Sequence, residues 1–248
     1  MGKKHVVALT GAGISAESGL STFRDEDGLW SKFRVEDVAT PQAFARNPGR
    51  VLEFYNQRRA RLRDARPNEA HTALARLEQG YRVSVVTQNV DDLHERAGSS
   101  SILHLHGQLR LARSILDPDY VVDIGYEPIA LGDLCPGGGQ LRTAIVWFGE
   151  PVPMMDRARE IVASADVLMV IGTSLAVYPA AFLAHEAPSG ASVLVVDPKA
   201  EPGRVPGAVI QAHIHTGCGQ PVQFLAEDER IQHHTIADEA QFVLVQDA

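Results

Sequence analysis

The residues from His5 to Ala16 constrain the fold of this chain more than any others. His5-Val-Val-Ala-Leu-Thr10 is a short apolar run of the kind that forms a parallel strand buried on both faces. Directly after it, Gly11-Ala12-Gly13-Ile14-Ser15-Ala16 fits the G-x-G-x-x-G/A loop, whose backbone amides cradle a pyrophosphate at a helix start. A strand running into such a loop predicts a doubly wound, parallel α/β sheet of the Rossmann type. In dehydrogenases an acidic residue about 20 positions on closes a second strand and holds a ribose. Here that region is Trp30-Ser-Lys-Phe-Arg34, followed by Val35-Glu-Asp-Val38, and it does not look like a strand end. The loop therefore departs from the dehydrogenase form.

Further strand-like runs are Arg82–Val86, Ile102–Leu105, Thr143–Val146, Val167–Ile171 and Ser192–Val196, after the first at Val6–Leu9. In parallel sheets ligands sit at the carboxyl ends of such strands. Pro41–Arg66 reads as helical, with Phe44, Leu52, Phe54, Tyr55 and Leu62 as its apolar points, and Asp156–Ser164 as another helix. Gln108–Arg142 lacks clean periodicity and carries Asp117-Pro118, Glu127-Pro128 and Pro136-Gly-Gly-Gly139, which predicts a loop-rich inserted module. The expected organisation is one domain over residues 1–248. Its Rossmann-like core takes about 1–35, 67–107 and 143–226, and its smaller module about 36–66, helical, and 108–142. The polar tail from Glu227 ends in Phe242-Val-Leu-Val245 and suggests no role.

At 45% hydrophobic content the chain can bury a sizeable core. Its net charge of −8 offers no basic footprint for nucleic acid. The acidity fits plain solubility and also fits attraction of lysine-rich proteins. Two cysteines, Cys135 and Cys218, are too few for a disulfide scaffold and suggest a reducing compartment. No apolar run approaches the roughly 18 residues of a membrane span, and the first residues run straight into the first strand. A cytoplasmic monomer without membrane or nucleic-acid partners is the expectation.

Three further blocks join the glycine loop and its extension to Trp30: Thr87-Gln-Asn-Val-Asp91, Leu105-His106-Gly107, and Ile145-Val-Trp-Phe-Gly-Glu150 with Ile171-Gly-Thr-Ser174 downstream. In this order, over about residues 5–225, they resemble the sirtuin family of NAD-dependent protein deacylases. The resemblance implies NAD as cofactor and acylated-lysine proteins or peptides as substrates. In the sirtuin reaction nicotinamide leaves the ribose and the acyl oxygen attacks that carbon. A base then deprotonates a ribose hydroxyl, and the products are lysine, nicotinamide and O-acyl-ADP-ribose.

His106 matches the family's base, a role suited to an imidazole titrating near neutrality. His104, two residues earlier on the same face, is easily mistaken for it. By the same resemblance Asn89 acts on ribose or water and Asp91 on the nicotinamide carboxamide, with Gln88 beside the ribose. Alone, Asn and Asp in that block are also common turn formers. The resemblance further assigns Gly11, Ala12, Gly13, Ala16, Glu17, Thr22, Phe23 and Arg24 to the cofactor site, Phe23 shielding the reacting carbon. Gly172, Thr173 and Ser174 match a second phosphate and ribose loop, and Cys218 in Thr216-Gly-Cys-Gly219 an adenine-side contact. Asp197 stands where the family usually has asparagine at a ribose contact.

Phe148-Gly149-Glu150 and Leu175-Ala-Val177-Tyr178 match the two segments between which sirtuins bind a peptide by strand addition. Tyr55 and Arg58, three apart and so on one helix face, match the Tyr-x-x-Arg pair of desuccinylase-type sirtuins. That pair implies an acidic acyl group, succinyl, malonyl or glutaryl, with acetyl beside it, and Ala39 is the small residue that leaves room for a longer chain. Arg58, Arg59, Arg61 and Arg63 also fit a solvated basic face. Most sirtuins carry two Cys-x-x-Cys pairs for structural zinc after the catalytic histidine. Between His106 and Trp147 this chain has only Cys135, and Asp117, Asp119, Asp123 and Asp133 are poor replacements for four thiolates. No metal is expected, the apolar run Tyr120–Tyr126 holding the module by packing. Two other readings stay open: an NAD hydrolase or protein ADP-ribosyltransferase, and a non-catalytic NAD-binding module.

Overall fold

The computed structural model describes residues 2–22, 29–198, 205, 208–210, 231–236 and 240–245. The expected site residues Phe23, Arg24 and Cys218 lie outside them. In chain order the elements are β1 (His5–Thr10), α1 (Leu29–Lys32), α2 (Val35–Val38), α3 (Pro41–Arg46), α4 (Pro48–Asp64), α5 (Glu69–Leu77), β2 (Arg82–Thr87), α6 (Leu93–Ala97), β3 (Ile102–His104), β4 (Gly107–Ser114), β5 (Val121–Asp123), β6 (Leu141–Ile145), α7 (Met155–Val162), β7 (Val167–Ile171), β8 (Ser192–Val196), β9 (Ala208–Ile210), β10 (Ile231–Ile236) and β11 (Ala240–Val245). Short 3-10 segments cover Ala12–Ser18 and Ala180–His185.

Six strands form one parallel sheet in the order β3-β2-β1-β7-β8-β9. The chain works outward from β1 on one side and then restarts at β7 on the other, so the switch point lies between β1 and β7. That is where open α/β sheets bind ligands. The registers Thr10↔Thr87, Thr10↔Ile171 and Thr87↔His104 bring the carboxyl ends of four strands level. The loops carrying residues 11–16, 88–91, 105–107 and 172–174 therefore leave the sheet at one edge.

The unbroken apolar strands are explained by burial on both faces. Val6, Ala8, Val83, Val85, Val167 and Met169 pack with Ala73, Leu74 and Leu77 of α5. Val7, Leu9, Leu168 and Val170 meet Met155, Ala158 and Val162 of α7 on the opposite face. Asn68 caps α5 by accepting from Ala70 N and His71 N at 3.0 and 3.4 Å, and α5 lies beside the strand exits.

Two expectations need correction. The single helix over Pro41–Arg66 is two, because Pro48 disfavours helical backbone at Asn47. Asn47 instead caps α4, its Oδ1 accepting from Arg50 N at 3.0 Å. The strand expected over Thr143–Val146 forms over Leu141–Ile145 and pairs antiparallel with β4, in a three-stranded sheet β5-β4-β6. The stretch expected to be loop-rich from Gln108 thus holds a sheet, and the core does not resume at residue 143. An apolar run declares a strand but not which sheet it joins. Leu109, Ala112, Ile145 and Trp147 of this module pack with Val51, Leu52, Phe54, Tyr55 and Leu62 of α4.

Candidate active site

Close backbone packing at the switch point explains the glycines. A Cβ on Gly11 would lie 2.6 Å from Thr173 Cβ, and one on Gly13 2.8 Å from Gly172 Cα. Gly172 has φ +59°, and a Cβ there would meet Ile14 N at 2.3 Å. Gly11 N donates to Ile171 O at 3.0 Å and Gly13 N to Gly172 O at 2.8 Å. The loops after β1 and β7 are thereby locked together, with Gly13 exposed toward solvent. The glycines are required by this close approach of the two loops, at the edge where an open α/β sheet binds its ligand.

Around it the exit of β2 supplies polar groups. Asn89 is buried, and its Nδ2 donates to Gly11 O at 3.0 Å and to Ser15 Oγ at 3.2 Å. Ser15 Oγ donates in turn to Asp91 Oδ2 at 3.0 Å, while Leu93 N donates to Asp91 Oδ1 at 3.2 Å. Burial pushes the Asp91 carboxyl up, and these two hydrogen bonds oppose the shift. Gln88 Nε2 donates to Thr173 Oγ1 at 3.1 Å, joining the β2 exit to the β7 exit. Asn89, Asp91, Ala12 and Ser15 line one cleft with about 500 Å³ of empty space, some of it open to solvent.

Ser15 is the functional candidate that sequence reasoning missed. It is buried, it touches both Asn89 and Asp91, and its Oγ stands 3.4 Å from Nε2 of His71. His71 and His94 are buried with rings 4.9 Å apart, and burial pushes them down to about 4 and about 3. They are neutral at working pH.

His106 leaves β3 with its Nδ1 3.1 Å from Gln88 O. A carbonyl only accepts, so Nδ1 carries the proton and Nε2 of the neutral ring carries the lone pair. Burial holds its pKa below the ordinary value, with the Gln88 bond acting the other way. Gly107 makes this placement possible. Its φ is +79°, and a Cβ there would approach Ala144 O to 2.0 Å.

Among the other expected residues, Ala16, Glu17 and Ser174 are exposed, and Ala12, Thr22, Thr173 and Asp197 are half-buried. Arg58 lines the same cleft as Asn89 and Asp91, and Arg61, one turn on, lines it too. The Arg58 guanidinium carbon stands 6.0 Å from the centre of the Tyr55 ring. Tyr55 is buried, its ring stacked 6.5 Å from Trp147, and burial pushes its hydroxyl up to about 12. Ala39 is buried in the same cluster, and its carbonyl accepts from Phe148 N at 3.0 Å. Two assignments change. Arg59 is not on a solvated face but fully buried. The Glu150 carboxylate is turned inward, to Arg142 at 2.6 Å and Trp147 N at 2.8 Å, and its own N–H donates to Trp147 O at 3.0 Å. Phe148 and Gly149 are exposed and Val177 half-buried.

In the small module the candidate ligands are engaged within the protein. Cys135 Sγ donates to Ser114 Oγ at 3.3 Å, and Ser114 Oγ also accepts from Leu116 N and Asp117 N at 3.1 and 3.2 Å. Asp117, Asp123 and Asp133 each accept a backbone N–H of a neighbouring turn. Among the described residues no three His, Cys, Asp or Glu side chains are grouped to hold a metal. A structural zinc contributes folding free energy that a chelator removes. Metal analysis of purified protein is expected to find no stoichiometric zinc, and EDTA to leave the unfolding midpoint unchanged. One zinc per chain, lost together with structure, would overturn this.

The chain is similar to known proteins. The Sir2 family model matches residues 11–179. An NAD-dependent protein deacylase of Aggregatibacter actinomycetemcomitans is 52% identical over 201 residues, 81% of this chain and 96% of that protein. Another, of Helicobacter pylori, is 53% identical over 203 residues, 82% and 88% of the two chains. A Sir2 homologue solved in complex with NAD superposes with a TM-score of 0.74 at 42% identity, covering 83% of each chain. A Sir2 complex with a p53 peptide and NAD gives 0.63 at 31% identity, over 78% of this chain and 81% of that one. Because the family match spans most of the chain, from the Gly11 loop past Val177, and the relatives exceed half identity, the chain belongs to the Sir2 family.

Proposed function

We propose that this NAD-dependent protein deacylase removes acidic acyl groups, succinyl, malonyl and glutaryl, from lysine side chains, and acetyl beside them. The observation that carries the acyl preference is the position of Arg58, in one cleft with Asn89 and Asp91 and beside Tyr55. A carboxylate entering a partly apolar cleft needs a charged partner, because burying it unpaired is costly. A guanidinium supplies a bidentate one. Burial lowers the Arg58 pKa, and Tyr55 and Asp91 act against that shift. Leu20, Val90 and Leu109 supply the apolar part of the cleft wall.

The chain's own residues divide the work. Gly11, Gly13, Gly172 and Thr173 would hold the pyrophosphate and a ribose of NAD, with Gln88, Asn89, Asp91 and Ser15 at the nicotinamide end. When bound, NAD supplies an activated ribose carbon that takes up the acyl oxygen. His106 takes a proton from a ribose hydroxyl at Nε2, its other nitrogen being held by Gln88 O. The backbones of 148–150 and 175–178 pair with the substrate peptide. The same reading has the enzyme act as a cytoplasmic monomer on proteins, and its charge of −8 speaks against nucleic acid.

Incubation with NAD and acetyl-, succinyl-, malonyl- and glutaryl-lysine peptides tests the activity by its products. Nicotinamide release with free ADP-ribose and no acyl transfer would instead mark an NAD hydrolase. Hydrogen bonds to charged groups contribute roughly 1.5 to 3 kcal/mol, or about 10- to 100-fold. Arg58→Met is expected to lower kcat/KM for succinyl-lysine by about that factor and to change acetyl-lysine little, with Tyr55→Phe smaller in the same direction. Equal losses on both substrates would contradict the acyl assignment.

A further inference from the structure

His104 occupies the last position of β3, two residues before His106, and its side chain is only 7% exposed. Its Nδ1 stands 3.1 Å from Asn89 O, and its Nε2 stands 2.7 Å from Glu95 Oε1 on α6. A carbonyl and an ionised carboxylate are both acceptors only. A neutral imidazole has one N–H and satisfies one of them; the imidazolium has two and satisfies both. His106 has the opposite arrangement, one acceptor at Nδ1 and Nε2 left as the basic nitrogen. The two histidines hold the consecutive carbonyls of Gln88 and Asn89.

We propose that His104 is a positioning residue of the deacylase site: an imidazolium pinned by Glu95 that fixes the Asn89 backbone and so the side chains of Asn89 and Asp91. Asn89 is the junction of that network. It receives His104 at its carbonyl and gives its amide to Gly11 O and Ser15 Oγ, which in turn donates to Asp91. The titratable and charged groups around the ring are Glu95 on α6, Asp91 on the β2 exit, neutral His94 on α6, and Arg110 on β4, which acts on Glu95. Burial disfavours the charged ring, but the Glu95 bond and charge and the Asn89 bond outweigh it and raise its pKa above 6.5. Burial likewise raises Glu95, and the His104 bond and charge outweigh it there too.

The sign follows. A histidine whose pKa is raised in the fold contributes stability in full below 6.5 and loses it as pH rises through the folded value. The base His106 works only when neutral and has a lowered pKa, so it sets an acid limb below 6.5. His104 sets an alkaline limb above it.

Imidazole ¹⁵N NMR of the wild-type protein without NAD or peptide, with signals assigned through His104→Gln, is the direct test. Protons on both nitrogens of His104 at neutral pH are expected, and on one nitrogen of His106. A neutral His104 ring would overturn the proposal, even if no variant folds. In Glu95→Gln the His104 titration and the alkaline limb of kcat should both move to lower pH while the acid limb stays. In His104→Gln, kcat should fall roughly 5- to 50-fold, as for a buried acceptor left unpaired, with peptide KM little changed. A lower melting temperature with unaltered kcat and pH profile would show a merely structural residue and overturn it. The kcat measurements rest on the roles proposed for Asn89 and His106. The ring titration does not, so failure of one is distinguishable from failure of the other.

Discussion

Replacing His106 by alanine is expected to lower deacylation about 10²- to 10⁴-fold, the contribution of a positioned general base, while NAD still binds. The loops after β1 and β7 are locked to each other through Gly11, Gly13 and Gly172, none of which His106 holds in place. Among the described residues its ring hydrogen-bonds to Gln88 O alone, and removing the ring does not unlock the loops. The loss should therefore fall on kcat, and calorimetric NAD affinity should stay within a few-fold. Near wild-type turnover in a folded His106→Ala protein would exclude His106 as the base. Loss of NAD affinity alongside activity would mean that the residue supports the binding loops.

The parts of the site readable beforehand are those where backbone constraint and chemistry coincide. Gly11 and Gly13 stand out because no other residue fits where β1 and β7 diverge. His106 stands out through its glycine, which the approach of Ala144 O requires. The six strands of the large sheet are mostly readable because burial on both faces leaves unbroken apolar runs. Ser15 was hidden because a serine in a glycine-rich turn is ordinary. Its contacts arise only when the exits of β1 and β2 meet and bring Asn89 and Asp91 to it. Glu150 looked like a peptide contact because its inward partner, Arg142, comes from a strand whose sheet could not be assigned from its own residues. The protonation of His104 was hidden for the same reason, since Glu95 and Asn89 approach it from two other elements.

Arg59→Leu should be the most destabilising change among the five arginines of α4. Side by side in sequence, Arg58 and Arg59 look interchangeable, but only Arg59 is wholly buried. Its Nε donates to Leu109 O at 2.7 Å, and its two terminal nitrogens to Asn56 Oδ1 and Thr143 Oγ1 at 2.8 Å. All three acceptors are neutral, so no carboxylate offsets the burial, which pushes the guanidinium down to about 10. Two of these bonds tie α4 to β4 and β6, and Asn56, itself on α4, extends the tie to Ile129 through bonds of 2.9 Å in both directions. Leucine fills most of the volume but leaves buried acceptors unpaired, each costing roughly 1 to 3 kcal/mol. Relief from burying a cation offsets part of this. A net loss of about 2 to 4 kcal/mol is expected, or a melting temperature lower by roughly 5 to 15 °C. Arg59→Lys keeps the charge but not the planar fork, and should recover only part. The acyl preference should survive in whatever fraction remains folded, because Arg58 and Tyr55 are untouched. Arg58→Met should do the reverse, changing substrate choice with little effect on melting. Coincident loss of stability and acyl preference in both variants would show that the helix acts as one unit and that its arginines do not divide the work.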